Sequence, residues 1–212
     1  MESFVALRRM MVDCQLRTYD VTDRSVLAAA DIVPREAFLP TGLSHLAYLD
    51  QTVALPGTGR ALVTPMVVAR MIQVLDLQPG ETVLEYGGGS GYGAALMAQM
   101  GAVATLWETD AAALELAKAA FAAAGVAVMA TTDRPQDSQF DAVLVAGACE
   151  VTPEDLFPLL REGGRLIVVE GLGRAARVNL YQKNGGSVSG RPVFDAAAPA
   201  LAEFRKKPAF VF

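Results

Sequence analysis

Apolar positions in the first eighteen residues recur at roughly helical spacing (Phe4, Leu7, Met11, Leu16) and predict an amphipathic helix over residues 2–18. Thr22 or Asp23 can cap a second helix through Ala30, which Pro34 ends. Residues 38–59 are punctuated by Pro and Gly and predict no long element, while Pro65 suits the first turn of a helix running to about Leu77. From Gly80 the pattern changes. Short β-rich runs at 82–86, 103–108, 126–131, 140–146 and 165–170 alternate with helical stretches at 91–100, 111–124 and 153–161. Strands that are apolar throughout and separated by helices predict a parallel sheet covered on both faces. Residues 178–183 and 187–194 then flank Asn184-Gly185-Gly186, a tight-turn signal. The expected fold is α/β: a doubly wound, mostly parallel, seven-stranded sheet ending in an antiparallel hairpin, under an N-terminal helical cover. One domain is expected over 1–212, with residues 1–78 as cap and substrate-side segment and 79–212 as the core that binds the cofactor.

Composition narrows the function. With 212 residues, 52% hydrophobic and 19% charged, the chain can bury a large core and is not disordered. No apolar run is long enough to span a bilayer, and the start lacks the features of a secretory signal, so a cytoplasmic protein is expected. Net charge is −5 and the 18 Lys and Arg are scattered, apart from Arg205-Lys206-Lys207, which disfavours nucleic acid as a partner. Cys14, Cys149 and the single histidine, His45, form no metal-ligand spacing and no nucleophile–base pair. Metal catalysis and triad hydrolysis are therefore disfavoured.

The stretch Leu84-Glu85-Tyr86-Gly87-Gly88-Gly89-Ser90-Gly91-Tyr92 sits at the carboxyl end of a predicted strand and opens a helix, where open α/β sheets bind ligands. Free N–H groups of the helix start suit an anionic group, either a pyrophosphate or the carboxylate of a methionine moiety. Gly89 to Ala94 spell the GxGxxA form of nicotinamide enzymes, whereas Glu85 to Gly91 spell Glu-x-Gly-x-Gly-x-Gly. Glu108, about twenty residues on, can accept from ribose hydroxyls in either case. Asp133, after the third strand, can accept from an adenine amine. Three acids with no Lys or Arg in the loop favour a cationic ligand. The terminal hairpin then favours S-adenosylmethionine over a nicotinamide dinucleotide.

Met11-Val12 with Gln15-Leu16, Asp23-Arg24 with Val26-Leu27, the run Val33-Pro34-Arg35-Glu36-Ala37-Phe38-Leu39-Pro40, and Ala47-Tyr48 with Asp50 resemble the landmarks of the protein-L-isoaspartate (D-aspartate) O-methyltransferases. Leu84–Tyr92, Phe140-Asp141-Ala142 and Gly163-Gly164-Arg165-Leu166 extend the likeness over most of the chain. That family lies within the class I S-adenosylmethionine-dependent methyltransferases. The resemblance implies a Rossmann-like methyltransferase that esterifies the stray carboxylate of isoaspartyl residues in damaged proteins, as a first step of repair. It implies that Glu85, Gly87, Gly88, Gly89, Ser90, Gly91, Tyr92, Glu108 and Asp133 serve the cofactor, and that Leu62, Val63 and Thr64 line the substrate side. In the family's Thr-Ile-Ser element Ala61 and Val63 replace the hydroxyls, which leaves Thr64 as the nearest catalytic candidate. The Gly-Asp-Gly loop after the third strand is also shortened, to Thr132-Asp133-Arg134-Pro135. A relative with another carboxylic acceptor, motivated by Ala61-Leu62-Val63, and a non-catalytic cofactor-binding protein, motivated by the apolar ending Pro208-Ala209-Phe210-Val211-Phe212, remain as alternatives.

Overall fold

Each predicted strand after Gly80 has a counterpart in the structure, a computed structural model that describes residues 3–206; the apolar ending 208–212 lies outside the described residues. Helix α1 spans Phe4–Met11, opened by the Ser3 hydroxyl, which accepts from the Ala6 N–H at 3.2 Å. The expected single helix over 2–18 does not continue as an α-helix. It widens into a π-turn at Val12–Leu16 and tightens to 3₁₀ at Arg17–Tyr19, with Asp20 left-handed at φ 61°. The wider turn lets Met11, Val12 and Leu16 all enter the core. Asp23, rather than Thr22, caps α2 (Arg24–Ile32), its carboxylate accepting from the N–H groups of Ser25 and Val26.

The segment expected to be irregular holds 3₁₀ turns at Arg35–Phe38 and Thr41–Leu46 and a small hairpin, β1 (Val53–Ala54) against β2 (Ala61–Leu62). Pro65 opens α3 (Pro65–Leu75). Then follow β3 (Thr82–Tyr86), α4 (Tyr92–Gln99), β4 (Val103–Trp107), α5 (Ala111–Ala124), β5 (Met129–Thr131) and β6 (Phe140–Cys149). The chain closes with β7 (Leu160–Glu170), β8 (Arg177–Asn184) and β9 (Ser187–Asp195). The main sheet has seven strands in the order β5-β4-β3-β6-β7-β8-β9, parallel through β7 and antiparallel thereafter. In the terminal hairpin Asn184 pairs with Ser187, so the turn is Gly185-Gly186, both at positive φ (59° and 77°), and Asn184 ends the strand instead of turning it.

The helix expected over 153–161 needs correction. Residues 153–161 form no α-helix: Glu154–Leu159 is a 3₁₀ turn with Pro158 inside it, and Leu160 already pairs with Phe140 as part of β7. Pro158 has no N–H to donate and disfavours helical geometry at Phe157, so a longer helix cannot propagate. Both faces of the sheet are still covered, one by the α-helices and the other by the 3₁₀ turn and residues 201–204. One buried cluster joins all five α-helices to Val83, Leu106, Ala142, Leu144 and Ile167. The other face presents Leu84, Tyr86, Phe140, Val143, Val145, Leu166 and Val168 to Leu156 and Leu159 of the 3₁₀ turn and to Leu201 and Phe204. No α-helix among the described residues contributes to that second cluster. None among them is long and apolar enough to cross a membrane.

Candidate active site

The strand order reverses between β3 and β6, and the glycine loop leaves the carboxyl end of β3 at this switch point, where doubly wound sheets bind ligands. The loop turns with Gly87, Gly89 and Gly91 at φ 66°, 59° and 79°, a region open to glycine and strained for other residues. Glu85 points into the helical layer. It is 1% exposed, and its carboxylate accepts from the N–H groups of Gly93 (3.2 Å) and Ala94 (2.7 Å), the first turn of α4. Burial pushes this carboxyl up, the two N–H bonds pull it partly back, and it comes to rest at about 7. Glu85 therefore serves as an internal cap of the helix behind the loop. A methyl group on Gly88 or Gly93 would come within 2.4 or 2.5 Å of its carboxyl atoms, which explains the glycines at both positions.

Glu108, just beyond β4, is wholly buried. One carboxylate oxygen accepts from the Gly89 N–H (2.8 Å) and the other from the Asp110 N–H (2.9 Å) and from Arg60 Nε (2.8 Å). Arg60 comes from the β1–β2 hairpin, whose tip is pinned by the Gly59 N–H donating to Asp110. Its guanidinium also grips Glu203 through both terminal nitrogens (2.5 and 3.1 Å) and donates to the Thr109 hydroxyl (2.9 Å). Burial works against the charge on Arg60, but hydrogen bonds to Glu203 and Glu108 outweigh it and raise its pKa. Burial likewise opposes ionisation of Glu203, yet Arg60 and Thr109 hold its carboxyl down at about 2. A Cβ built on Gly89 would meet Leu55 at 2.8 Å and Arg60 at 3.1 Å, and one on Gly87 would meet Leu201 at 3.1 Å. Leu201 also lies over Gly147 of β6, 2.6 Å from a built Cβ there. The crevice between β3 and β6 is thus filled by the chain's own side chains.

The remaining predicted positions scatter around it. Ser90 is 1% exposed and its hydroxyl has no hydrogen-bond partner among the described residues. The ring of Tyr92 is buried between Phe38 and Arg35, whose guanidinium lies 4.6 Å from the ring centre. Asp133 is exposed and lines a shallow cavity of about 370 Å³ with Met129, Pro135 and Phe140. Leu62 and Val63 are buried, while Thr64 is half-exposed at the start of α3 and its hydroxyl makes no capping bond. Cys149 is buried, its thiol pushed up by burial to about 12, and His45 is exposed on a 3₁₀ turn. No group of three or more metal-binding side chains occurs among the described residues.

The motif residues before the sheet hold one another. Arg35 is fully buried and donates to the carbonyls of Ala47 (2.8 Å) and Val63 (2.6 Å), which fixes the 61–64 segment. Glu36 accepts from the Tyr48 hydroxyl, and Gln15 donates to the Tyr48 carbonyl at 2.9 Å. Arg60, Leu55, Leu201 and Glu203 were missed by sequence reasoning. Arg60 meets Glu108 and Glu203 across 48 and 143 residues of chain, Leu55 and Leu201 meet glycines of likewise non-local segments, and no local spacing signals such pairs.

The strand order, the glycine turn at its reversal and the antiparallel closing pair define a Rossmann-like methyltransferase fold. More particularly, the chain belongs to the Protein-L-isoaspartate(D-aspartate) O-methyltransferase (PCMT) family, whose sequence profile matches residues 8–197. It is 40% identical over 171 residues to a protein-L-isoaspartate O-methyltransferase of Methylorubrum populi, covering 78% of this chain and 80% of that one. A second, from Methylorubrum extorquens, is 37% identical over 207 residues and covers 91% and 90%. A solved protein-L-isoaspartate O-methyltransferase superposes with a TM-score of 0.77 at 25% identity, over 92% of this chain and 66% of the other. A Plasmodium falciparum structure assigned to the same activity and complexed with S-adenosyl-L-homocysteine shares the fold, with a TM-score of 0.75 at 20% identity over 96% of this chain and all of the other.

Proposed function

We propose that this chain transfers the methyl group of S-adenosylmethionine to the free carboxylate of isoaspartyl residues in damaged proteins. The observation that carries this reading is the family match over residues 8–197 together with the glycine turn at the switch point. The nucleophile supports it. A carboxylate, with an ordinary pKa near ~4, is ionised at neutral pH and needs no general base. That accords with an exposed His45 and a buried Cys149, neither placed to act as one. The remaining work is to hold two partners in line.

Site roles follow in the same reading. The backbone of Gly87, Gly88, Gly89, Ser90 and Gly91 and the start of α4 at Tyr92 cradle the cofactor, with Glu85 bracing the helix behind them. Glu108 serves the ribose hydroxyls and Asp133 the adenine edge. Leu62 and Val63 wall the acceptor side, with Thr64 offering the nearest hydroxyl. We read 1–212 as one domain, its first 78 residues capping the core, because a single buried cluster joins α1 and α2 to the sheet. We place it in the cytoplasm with isoaspartyl proteins as partners. Its net charge of −5 and scattered basic residues suit neither nucleic acid nor an anionic lipid surface.

In this conformation the cradle does not fit S-adenosylmethionine. Leu201 fills the β3–β6 crevice, and Arg60 occupies the Glu108 carboxylate that the ribose would use. The closed cradle favours a second reading, a non-catalytic family member. Incubation with labelled cofactor and an isoaspartyl peptide separates the two. Base-labile methyl ester is expected. If several isoaspartyl peptides yield none while S-adenosylhomocysteine binds, the acceptor differs or the protein is a non-catalytic cofactor binder; if neither ester nor binding is found in folded protein, the cofactor reading fails as well.

A further inference from the structure

We propose that residues 199–204 and the β1–β2 hairpin form an intramolecular clasp over the cofactor cradle, latched by Arg60 and Glu203, and that the clasp must lift before S-adenosylmethionine is admitted. This rests on the cofactor reading above and deepens it.

The terminal segment is docked by specific bonds. The Ala148 N–H donates to the Pro199 carbonyl (2.7 Å), the Leu201 N–H to the Ala148 carbonyl (2.9 Å), and the Glu150 N–H to the Phe204 carbonyl (2.9 Å). These bonds lay the segment along the end of β6 and drop Leu201 between Gly87 and Gly147. The hairpin arrives from the other side and sets Leu55 and Arg60 against Gly89. The two arms meet in one place, where the Arg60 guanidinium bridges Glu108 beneath and Glu203 above.

Two features bear on how the clasp would give way. The latch is asymmetric: Arg60 and Glu108 are 4% and 0% exposed, but Glu203 is 31% exposed, so its half of the latch is the one that water can reach. In addition, the Ser90 hydroxyl at the centre of the loop is buried with no hydrogen-bond partner among the described residues, a polar group open to an incoming ligand. A ligand that binds only the open state has its apparent dissociation constant raised by the inverse of the open fraction, so loosening the clasp must tighten binding.

The test uses the full-length protein, titrated calorimetrically with S-adenosylhomocysteine. Leu201→Ala removes the plug, and Glu203→Gln, a surface change that leaves the core intact, loosens the latch. Both variants are expected to bind at least tenfold more tightly than the wild type. Hydrogen exchange of the wild type should show the Ala148 and Leu201 amides losing protection when S-adenosylhomocysteine is added. Equal affinity in all three proteins, with those amides still protected in the complex, overturns the clasp and leaves the methyltransferase reading in place. Absence of binding in all three, with circular dichroism showing them folded, overturns the cofactor reading itself and the clasp with it.

Discussion

Replacing Arg60 with Met removes a charge from the buried cluster while keeping an unbranched apolar stem over Gly89. In the wild type the Glu108 carboxylate is wholly buried and takes three donors, from Gly89, Asp110 and Arg60. The variant leaves it two N–H groups and no countercharge. Deleting one partner of a buried ion pair typically costs ~3–5 kcal/mol, since the other charge stays desolvated. For a domain of this size each kcal/mol lowers the melting temperature by about 2–4 °C, so a fall of roughly 6–20 °C is expected. Glu203→Gln leaves Arg60 its second countercharge, Glu108, so a smaller fall than for Arg60→Met is expected. A second replacement, Glu108→Gln in the Arg60→Met background, should recover much of the loss because no charge is then stranded. Thermal melting followed by far-ultraviolet circular dichroism at pH 7 and 0.15 M salt decides the matter. If Arg60→Met melts within about 2 °C of the wild type, Glu108 is not held by Arg60 in the way described.

Other expectations follow from the same geometry. The Glu85 carboxyl, raised by burial to about 7 from an ordinary 4.5, binds its proton more tightly folded than unfolded. Its stabilising contribution is therefore complete below pH 4.5 and disappears as pH rises towards 7. Urea denaturation of Glu85→Gln at pH 5 and 7.5 should show that dependence flattened, and parallel profiles would contradict it. Arg35→Lys can keep one of its bonds to the Ala47 and Val63 carbonyls but not both, and should lose roughly 2–3 kcal/mol in urea. Restoring the two hydroxyls with Ala61→Thr and Val63→Ser should raise kcat/KM for an isoaspartyl peptide about tenfold, read from base-labile ester; no change would mean that this segment does not face the acceptor.

Much of this architecture is legible because it rests on local rules. Asp23 is followed by free helical N–H groups, Pro65 suits a first turn, and alternate residues of β6 feed two different buried clusters. What escapes is non-local. The Val53–Leu62 hairpin is too short to show alternation, and Pro158 stops a helix that residues 153–161 otherwise suggest. The acids of the site show the same division. Glu85, Glu108 and Asp133 stand out as carboxylates near strand ends, but only the fold shows that Glu85 faces the start of α4, that Glu108 is matched by Arg60, and that Asp133 stays exposed. The mutual grip of Arg35, Ala47 and Val63 gives a physical reason for two motifs that in the sequence are only words.

The second hydrophobic cluster has a temporal consequence. Its outer wall includes Leu201 and Phe204, which a ribosome delivers after every strand of the main sheet. A nascent chain that has already paired β3 with β6 therefore exposes an apolar sheet surface until residues 201–204 have cleared the exit tunnel and can seat against it.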